Sequence, residues 1–284
     1  MDPRKRSKEM KKLMFAAAAA FCGTVFGLES ANVVGYQNKE MATANFNYEC
    51  ATFQAVGKAR DAQTLGDIKA SEGFSYSEIQ FLTSGGANAY VDHPQLGRVI
   101  QSYTYWSDPD WTESGVAGWY LYDDEDGAYP MNDIVIPLGQ AYCVSVAGSE
   151  VGETLNYAGE VPNSAVALTF DHANFNYVGN CTPADITLGD IVASEDFSYS
   201  EIQFLTSGGA NAYVDHPQLG RVIQSYTYWS DPDWTEAGVA GWYLYDDEDG
   251  AYPMNDINIK AGQGFCVSVA GSEVGEGISI PSAL

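Results

Sequence analysis

An aromatic and acidic segment occurs twice in this 284-residue chain, at residues 103–113 and 226–236. Each occurrence places Tyr and Trp rings beside carboxylates and hydroxyls. Flat rings of this kind stack on the apolar face of a pyranose while polar groups bind its hydroxyls, so the segment predicts a sugar site. The competing interpretation is that the rings fill a β-sheet core. The candidate ligand-binding residues are Tyr105, Trp106, Trp111, Tyr228, Trp229 and Trp234.

The tryptophans of this region have different expected positions. Trp111 lies between Pro109 and Gly115 and is the best candidate for an exposed ring, whereas Trp119 lies inside a predicted strand and is expected in the core. Two copies of an exposed platform would give avidity for a polymer through a raised effective concentration.

Calcium is a second candidate ligand of the same segment, because carboxylate oxygens from one loop can supply part of the six to eight oxygens that Ca²⁺ takes. The competing interpretation is a solvated acidic turn. The next acidic turn, Asp123 to Gly127, fails the EF-hand pattern, because the first-ligand position then falls on Tyr122. The candidate metal ligands are Asp108, Asp110, Glu113, Asp231, Asp233 and Glu236.

Nucleophilic catalysis has little support in the sequence. The chain has three histidines and neither a G-x-S-x-G nor an H-E-x-x-H motif. A pair of carboxylates for glycoside hydrolysis stays open as an alternative, since their separation in space cannot be derived from sequence. We therefore expect a protein that is not an enzyme.

These candidate residues belong to a long internal repeat. Residues 71–134 recur at 194–257 with two differences, Gly73 against Asp196 and Ser114 against Ala237. Such a repeat predicts one module used twice, for multivalency or architecture. With a boundary near Pro162, we expect a β-module at 28–161 and a second at 162–284.

The first 27 residues have the pattern of a secretory signal peptide: a basic start, a short apolar run over 13–21 and small residues up to Gly27. The apolar stretch is shorter than the roughly 20 residues of a membrane-spanning helix. We therefore expect a secreted, extracellular or cell-surface protein with no transmembrane segment in the mature chain.

The chain is strongly acidic. It holds 13 Lys and Arg against 38 Asp and Glu; residues 1–27 contain 6 and 2 of these, which leaves 7 against 36 and a net charge of −29. This charge excludes nucleic acid as a partner and attracts cations. The expected partners are extracellular polysaccharide or other surface proteins.

Four cysteines follow the signal peptide, and four cysteines allow three pairings. In an oxidising compartment, without C-x-x-C spacing, disulfides are favoured over thiolate metal binding. The repeat favours one bond within each module, Cys50–Cys143 and Cys181–Cys266.

Apolar residues alternate with period two, and glycine-rich turns separate the segments. We expect seven or eight short strands in each copy, including one from Arg98 to Trp106, with a helical hint only over Thr64 to Ser71. The predicted fold class is all-β: two tandem, near-identical antiparallel modules, each a β-sandwich or partly open barrel with one internal disulfide.

The chain contains three short motifs: the segment Ser30-Ala31-Asn32-Val33-Val34-Gly35-Tyr36, the strand motif Gly139-Gln140-Ala141-Tyr142-Cys143-Val144 and the closing motif Gly159-Glu160-Val161. They resemble those of a group of uncharacterised secreted bacterial β-repeat proteins. The second copy has Gly262-Gln263-Gly264-Phe265-Cys266-Val267 but lacks the closing G-E-V. The resemblance implies export and tandem β-modules, and it implies no activity.

Three functional hypotheses follow. The first is bivalent, non-catalytic recognition of an extracellular glycan. The second is a structural surface or matrix protein that assembles through acidic, Ca²⁺-binding modules. The third is a hydrolase of extracellular polysaccharide.

Overall fold

The computed structural model of the protein describes residues 33–54 and 62–284, so the predicted signal peptide lies outside the described residues. Val34–Leu284 forms one compact unit. Within the described ranges, every regular element is a β-strand or a three-residue 3-10 helix, and the strands pair antiparallel. The all-β class is confirmed, and the division into two sandwich-like or barrel-like modules stays a prediction.

The first half of the chain has twelve strands within its described residues, more than the seven or eight expected. Their bounds are β1 Val34–Glu40, β2 Asn45–Cys50, β3 Ala62–Thr64, β4 Lys69–Ala70, β5 Glu78–Gln80, β6 Tyr90–His93, β7 Gly97–Ile100, β8 Ser102–Trp106, β9 Gly118–Leu121, β10 Val135–Pro137, β11 Ala141–Val146 and β12 Thr154–Glu160. They form sheets of order β2-β11-β5-β8-β9 and β1-β12-β4 and the pairs β3-β10 and β6-β7.

The second half repeats this order. Its strands are β13 Val166–Thr169, β14 Asn174–Gly179, β15 Ile186–Thr187, β16 Val192–Ala193, β17 Glu201–Gln203, β18 Tyr213–His216, β19 Gly220–Ile223, β20 Ser225–Trp229, β21 Gly241–Leu244, β22 Asn258–Ile259, β23 Gly264–Val269 and β24 Gly277–Ile280. The sheets are β14-β23-β17-β20-β21, β13-β24-β16, β15-β22 and β18-β19. The short 3-10 helices span Leu65–Asp67, Pro109–Trp111, Gly148–Glu150, Leu188–Asp190, Pro232–Trp234 and Gly271–Glu273.

Two expected elements differ from those observed. The strand predicted from Arg98 to Trp106 is divided between β7 and β8 at Gln101, whose N–H donates to the Ala89 carbonyl instead of continuing one ladder. The helical hint after Thr64 is a single 3-10 turn, because Asp67 accepts the Thr64 N–H at 2.8 Å and the backbone becomes extended at the next residue.

Two hydrophobic clusters form the core, one in each half. Trp119 and Trp242 are fully buried in them, as expected for strand tryptophans, and each indole N–H donates to a backbone carbonyl at 2.8 Å. Cys50 and Leu138 of the first half pack into the cluster of the second half. The hydrophobic cluster of the second half therefore includes residues from both halves of the chain.

The two halves meet through matched contacts of β2 and β14. The Phe46 N–H donates to the Ser207 carbonyl at 3.0 Å, and the equivalent Phe175 N–H donates to the Ser84 carbonyl at 3.1 Å. The rings of Tyr48 and Tyr177, which are also equivalent, stack with centroids 6.1 Å apart and planes inclined by 8°. Reciprocal contacts of this kind are the mark of an approximate twofold relation.

The predicted disulfides are wrong in this structure, in which Cys50, Cys143, Cys181 and Cys266 are buried free thiols. In the β2–β11 register Cys143 lies opposite Tyr48, and Cys50 lies opposite Ala141. The two cysteines are thus diagonal neighbours, about 7–8 Å apart, beyond the roughly 4.4–6.8 Å between Cα atoms that a disulfide joins.

The second predicted bond, Cys181–Cys266, meets the same obstacle. Cys266 lies opposite Tyr177, and the ladder ends at Gly179, two residues before Cys181. Moreover, the equivalent of Cys181 in the first half is Thr52, and Cys50 is matched by Gly179. The early cysteines of the two halves therefore do not occupy equivalent positions.

We expect residues 28–284, purified without reductant, to show four reactive thiols per chain after unfolding in denaturant, one for each free cysteine. In the folded protein they should react very slowly, since burial raises the pKa of Cys143, Cys181 and Cys266 to about 12 and little thiolate is present. The measurement is thiol titration with a chromogenic disulfide reagent. A count of zero in denaturant would restore the disulfide prediction.

A buried ion pair joins Lys39 and Glu49 beside this junction. Lys39 Nζ also donates to the Gly262 carbonyl of the second half at 3.0 Å. Burial raises the pKa of Glu49 to about 7, although the charge of Lys39 and its hydrogen bond act in the opposite direction. The equivalent residues of the second half are Leu168 and Val178, so this half has two apolar residues that belong to or pack against its core where the first half has an ion pair.

Replacing Glu49 by Gln should remove a pH-dependent loss of stability. Because the folded-state pKa lies above the unfolded one, the wild type binds an extra proton when folded and loses stability as the pH rises to about 7. As the pH rises to about 7, the free energy of unfolding of Glu49→Gln should therefore increase by about 1–3 kcal/mol relative to that of the wild type. The measurement is denaturant unfolding at several pH values.

Asp256→Asn, a change at an exposed carboxylate, is the control and should leave the pH profile unchanged. Parallel profiles for the wild type and Glu49→Gln would contradict the assignment of a raised pKa to Glu49.

Candidate functional site

A cleft of about 600 Å³ opens on the second half of the chain, and the predicted aromatic segment forms one of its walls. It contains Tyr228, Trp229 and Trp234, all three of the candidate ligand-binding residues in this half. Five aromatic rings contribute to its lining: Tyr199, Tyr228, Trp229, Trp234 and Tyr245.

Three of these rings project into solvent. Tyr199 is 76% exposed, Trp234 is 77% exposed and Tyr245 is 61% exposed. Large aromatic side chains normally bury most of their surface, so rings this exposed around one cleft are a feature of binding surfaces. The equivalent residues of the first half are exposed to the same extent; they are Tyr76, Trp111 and Tyr122.

The remaining candidate rings pack on buried rings of the core. Tyr228 packs on the buried Trp242 with ring centroids 5.1 Å apart, and Trp229 packs on Tyr243 at 5.8 Å. Tyr105 and Trp106 make the same contacts with Trp119 and Tyr120 in the first half. Burial raises the pKa of Tyr105 and of Tyr228. Tyr228 and Trp229 therefore join the core of the second half to the cleft that they line.

The elements around the cleft place each exposed ring differently. Trp234 ends the 3-10 helix Pro232–Trp234, whose first turn is capped by Asp231 as it accepts the Asp233 N–H at 2.9 Å. Tyr245 directly follows β21, and Tyr199 lies in the loop before β17. Trp111 lies at the end of the matching helix of the first half, capped by Asp108.

The loop that carries Tyr76 is held by a buried carboxylate. Glu150 accepts the backbone N–H groups of Ser75, Tyr76 and Ser77 at 2.7–2.9 Å and the Ser77 hydroxyl at 2.5 Å. Burial alone would raise the pKa of Glu150, but these hydrogen bonds together outweigh it and lower the pKa. Glu273 holds the Tyr199 loop in a similar way, because it accepts the N–H groups of Ser198 and Tyr199 at 2.8 and 2.7 Å and the Ser200 hydroxyl at 2.5 Å.

The acidic residues of the segment were also candidate calcium ligands. Asp108 and Asp231 cap helices, as described, and Asp124, in the next turn, accepts the N–H groups of Ala128 and Tyr129 at 3.1 and 2.7 Å. In the described ranges, no group of three or more His, Cys, Asp or Glu side chains is arranged to hold a metal ion. Calcium binding by Asp108, Asp110, Glu113, Asp231, Asp233 and Glu236 stays a prediction.

Sequence reasoning missed four of the ring positions and both anchoring glutamates. Tyr76 and Tyr199 stand between two serines in a loop, and Tyr122 and Tyr245 follow a strand directly. An isolated tyrosine flanked by polar residues outside the strand pattern is the signal that could have identified them. Nothing in the local sequence of Glu150 or Glu273 indicates their partners, which lie 73–75 residues earlier.

The one difference between the copies near the cleft is the exchange of Gly73 for Asp196. Asp196 lines the cleft of the second half. A Cβ atom on Gly73 would lie 2.3 Å from Oε1 of Glu153, whose carboxylate accepts a hydrogen bond from the Ser71 hydroxyl. An aspartate at position 73 would therefore require Glu153 to move.

Comparison of the chain with protein-family models, with curated proteins and with solved structures gave no match. The resemblance to secreted bacterial β-repeat proteins stays a prediction. Within residues 33–54 and 62–284, no helix has the length and apolar character needed to cross a membrane.

We expect Glu150→Gln to destabilise the fold by about 1–3 kcal/mol at neutral pH, because an amide cannot accept all of these hydrogen bonds and leaves a buried donor unsatisfied. The lowered pKa means that the carboxylate stabilises the protein above its unfolded-state pKa and that this contribution is lost as the pH falls. The deficit of the variant should therefore shrink in acid. Denaturant unfolding as a function of pH measures it.

Glu248→Gln, a change at an exposed acid, is the matched control for this experiment. A Glu150→Gln deficit that stays constant from acid to neutral pH would contradict the role of the ionised carboxylate.

Proposed function

We propose that the protein is a non-catalytic binding protein of the cell exterior that holds an extracellular glycan in two equivalent aromatic clefts. The observation that carries the proposal is the set of exposed rings around the cleft of the second half, Tyr199, Trp234 and Tyr245, which recurs in the first half as the equally exposed Tyr76, Trp111 and Tyr122. Secretion and the signal peptide at residues 1–27 form part of this proposal.

The chemistry of the cleft suits a sugar ring. Pyranoses present an apolar C–H face that stacks on a flat indole, and hydroxyls that hydrogen-bond to polar groups between the rings. Ser198, Thr227 and Ser230 supply hydroxyls in the cleft wall. Ligand pockets of this size combine apolar area with a few polar groups in the same way.

Preorganisation supports the same function. Glu273 and Asp231 accept backbone hydrogen bonds in the segments that carry Tyr199 and Trp234, so two of the exposed rings stand on restrained backbone. Rings that are already in place lose little conformational entropy when a ligand binds.

Duplication supports binding to a polymer. A single cleft with exposed rings binds one short stretch of glycan weakly, whereas two clefts on one chain raise the effective concentration for the second contact. A repeating polysaccharide offers the same unit to both clefts, which a small soluble ligand cannot do.

Removal of both indoles, Trp111→Ala with Trp234→Ala, should abolish retention on the insoluble polysaccharide that binds the wild type. Each single change should weaken retention at least about tenfold, because bivalent attachment is lost with either platform. The measurement is a pull-down against a panel of insoluble and arrayed polysaccharides with the chain from residue 28 onward.

The matched control is Tyr90→Ala with Tyr213→Ala, which removes two half-exposed rings that lie outside the cleft. Retention that is unchanged in the double tryptophan variant, or absent for the wild type across the whole panel, would refute glycan binding through the clefts.

A further inference from the structure

We propose that the ligand of these clefts is a cationic glycan, a polymer of amino sugars whose amino groups are free and protonated. The inference rests on the proposed function and makes it more specific, because a neutral glycan would leave the carboxylates around the aromatic platforms without a partner and an anionic glycan would be repelled by them. The clefts themselves are the site, and their carboxylates decide which glycan they accept.

The charge in the cleft is entirely negative. Alongside the five rings and three hydroxyl residues, the lining contains five acids and no Lys, Arg or His: Glu195, Asp196, Asp231, Asp247 and Glu248. A low-dielectric wall lined by one sign of charge concentrates its field in the cleft and attracts counter-charged ligands. An anionic polysaccharide would be repelled there.

Two of these acids accept hydrogen bonds within the protein, and the other three are available to a ligand. Asp231 caps the helix of Trp234, and the buried Asp247 accepts the N–H groups of Ala251 and Tyr252 at 3.0 and 2.7 Å. The other three carboxylates are exposed and have no hydrogen-bond or ion-pair partner in the part of the chain that the structure describes; they are Glu195, Asp196 and Glu248.

The rings and carboxylates of the cleft together favour a ligand that has both a positive charge and an apolar face. A protonated amine placed against an aromatic face gains a cation–π attraction, and the same amine can pair with a nearby carboxylate. An amino sugar combines that amine with the flat C–H face that stacks on Trp234. A lysine-rich peptide shares the charge, but its thin side chains do not match a cleft lined by five rings.

The two clefts should differ in strength. The cleft of the second half has the unpaired carboxylate of Asp196, whereas the equivalent residue of the first half is Gly73 and the nearby carboxylate of Glu153 accepts a hydrogen bond from Ser71. The cleft of the second half therefore carries one more unpaired negative charge than the equivalent surface of the first half, and its electrostatic field is stronger. Trp111→Ala, which leaves the second cleft active, should bind a cationic polymer about two- to threefold more tightly than Trp234→Ala, which leaves the first.

The experiment compares three immobilised probes at mildly acidic pH, where free amines are protonated and most carboxylates stay ionised. The probes are a β-1,4-linked glucosamine polymer, the fully N-acetylated polymer of the same linkage, and polylysine. The protein is the full chain from residue 28 onward. We expect the free-amine polymer to bind at least about tenfold more tightly than the acetylated one, and this preference to fall as salt is added.

The variant Glu195→Gln, Asp196→Asn, Glu248→Gln tests the charges with little change in shape. In the Trp111→Ala background, which leaves only the second cleft, it should lose about tenfold in affinity for the free-amine polymer and little for the acetylated one. Asp256→Asn, an exposed acid outside the cleft, is the control and should lose nothing. Unfolding curves confirm that each variant is folded.

The outcomes separate this inference from the proposed function. Equal, tryptophan-dependent binding of both sugar polymers would overturn the cationic ligand and leave glycan binding intact. Equal binding of polylysine and the glucosamine polymer would overturn the choice of an amino sugar. Absence of binding to every polysaccharide, acetylated or not, would refute the proposed function itself.

Discussion

The exposed rings of Tyr76 and Tyr199 depend on one buried interaction in each half, in which the carboxylate of Glu150 or Glu273 accepts the N–H groups of a loop more than seventy residues away. The loop between a short strand and β5 or β17 has no ladder to satisfy its backbone donors, and unsatisfied buried donors are costly. A single carboxylate accepts several of them at once. Because Tyr76 and Tyr199 stand in the middle of these loops, the same hydrogen bonds that stabilise the fold also set the position of two exposed rings.

The junction between the halves adds a second constraint. Reciprocal backbone hydrogen bonds and the stacked rings of Tyr48 and Tyr177 join β2 to β14, and side chains of the first half complete the core of the second. Under the proposed function, the two binding sites would therefore lie on one compact unit instead of on two modules joined by a flexible tether. Such an arrangement would lower the entropy cost of binding a ligand at both sites and would limit the ligands that can reach both of them.

Local patterns in the sequence were sufficient for the all-β character of the fold and for some residues of the candidate site. Period-two alternation predicted antiparallel strands, and the position of Trp119 inside a strand predicted its burial, because both depend on neighbouring residues. The free cysteines depend on a strand register that spacing does not reveal, since a shift of two residues turns opposite neighbours into diagonal ones. The role of Glu150 depends on a contact 73–75 residues away, and no local signal encodes it.

Burial accounts for the repetition of some side chains and not of others. Trp119 and Trp242 fill equivalent places in two cores, so packing requires a large ring at both positions. At other equivalent positions packing does not require the same type of side chain. Lys39 and Glu49 of the first half are replaced by Leu168 and Val178 in the second. The exposed rings bury little surface against either core and leave apolar area in contact with water. They therefore add little to the stability of the folded chain. In the proposed function these rings contact a molecule outside the chain, and the unpaired carboxylates of the second-half cleft would favour a molecule that carries positive charge.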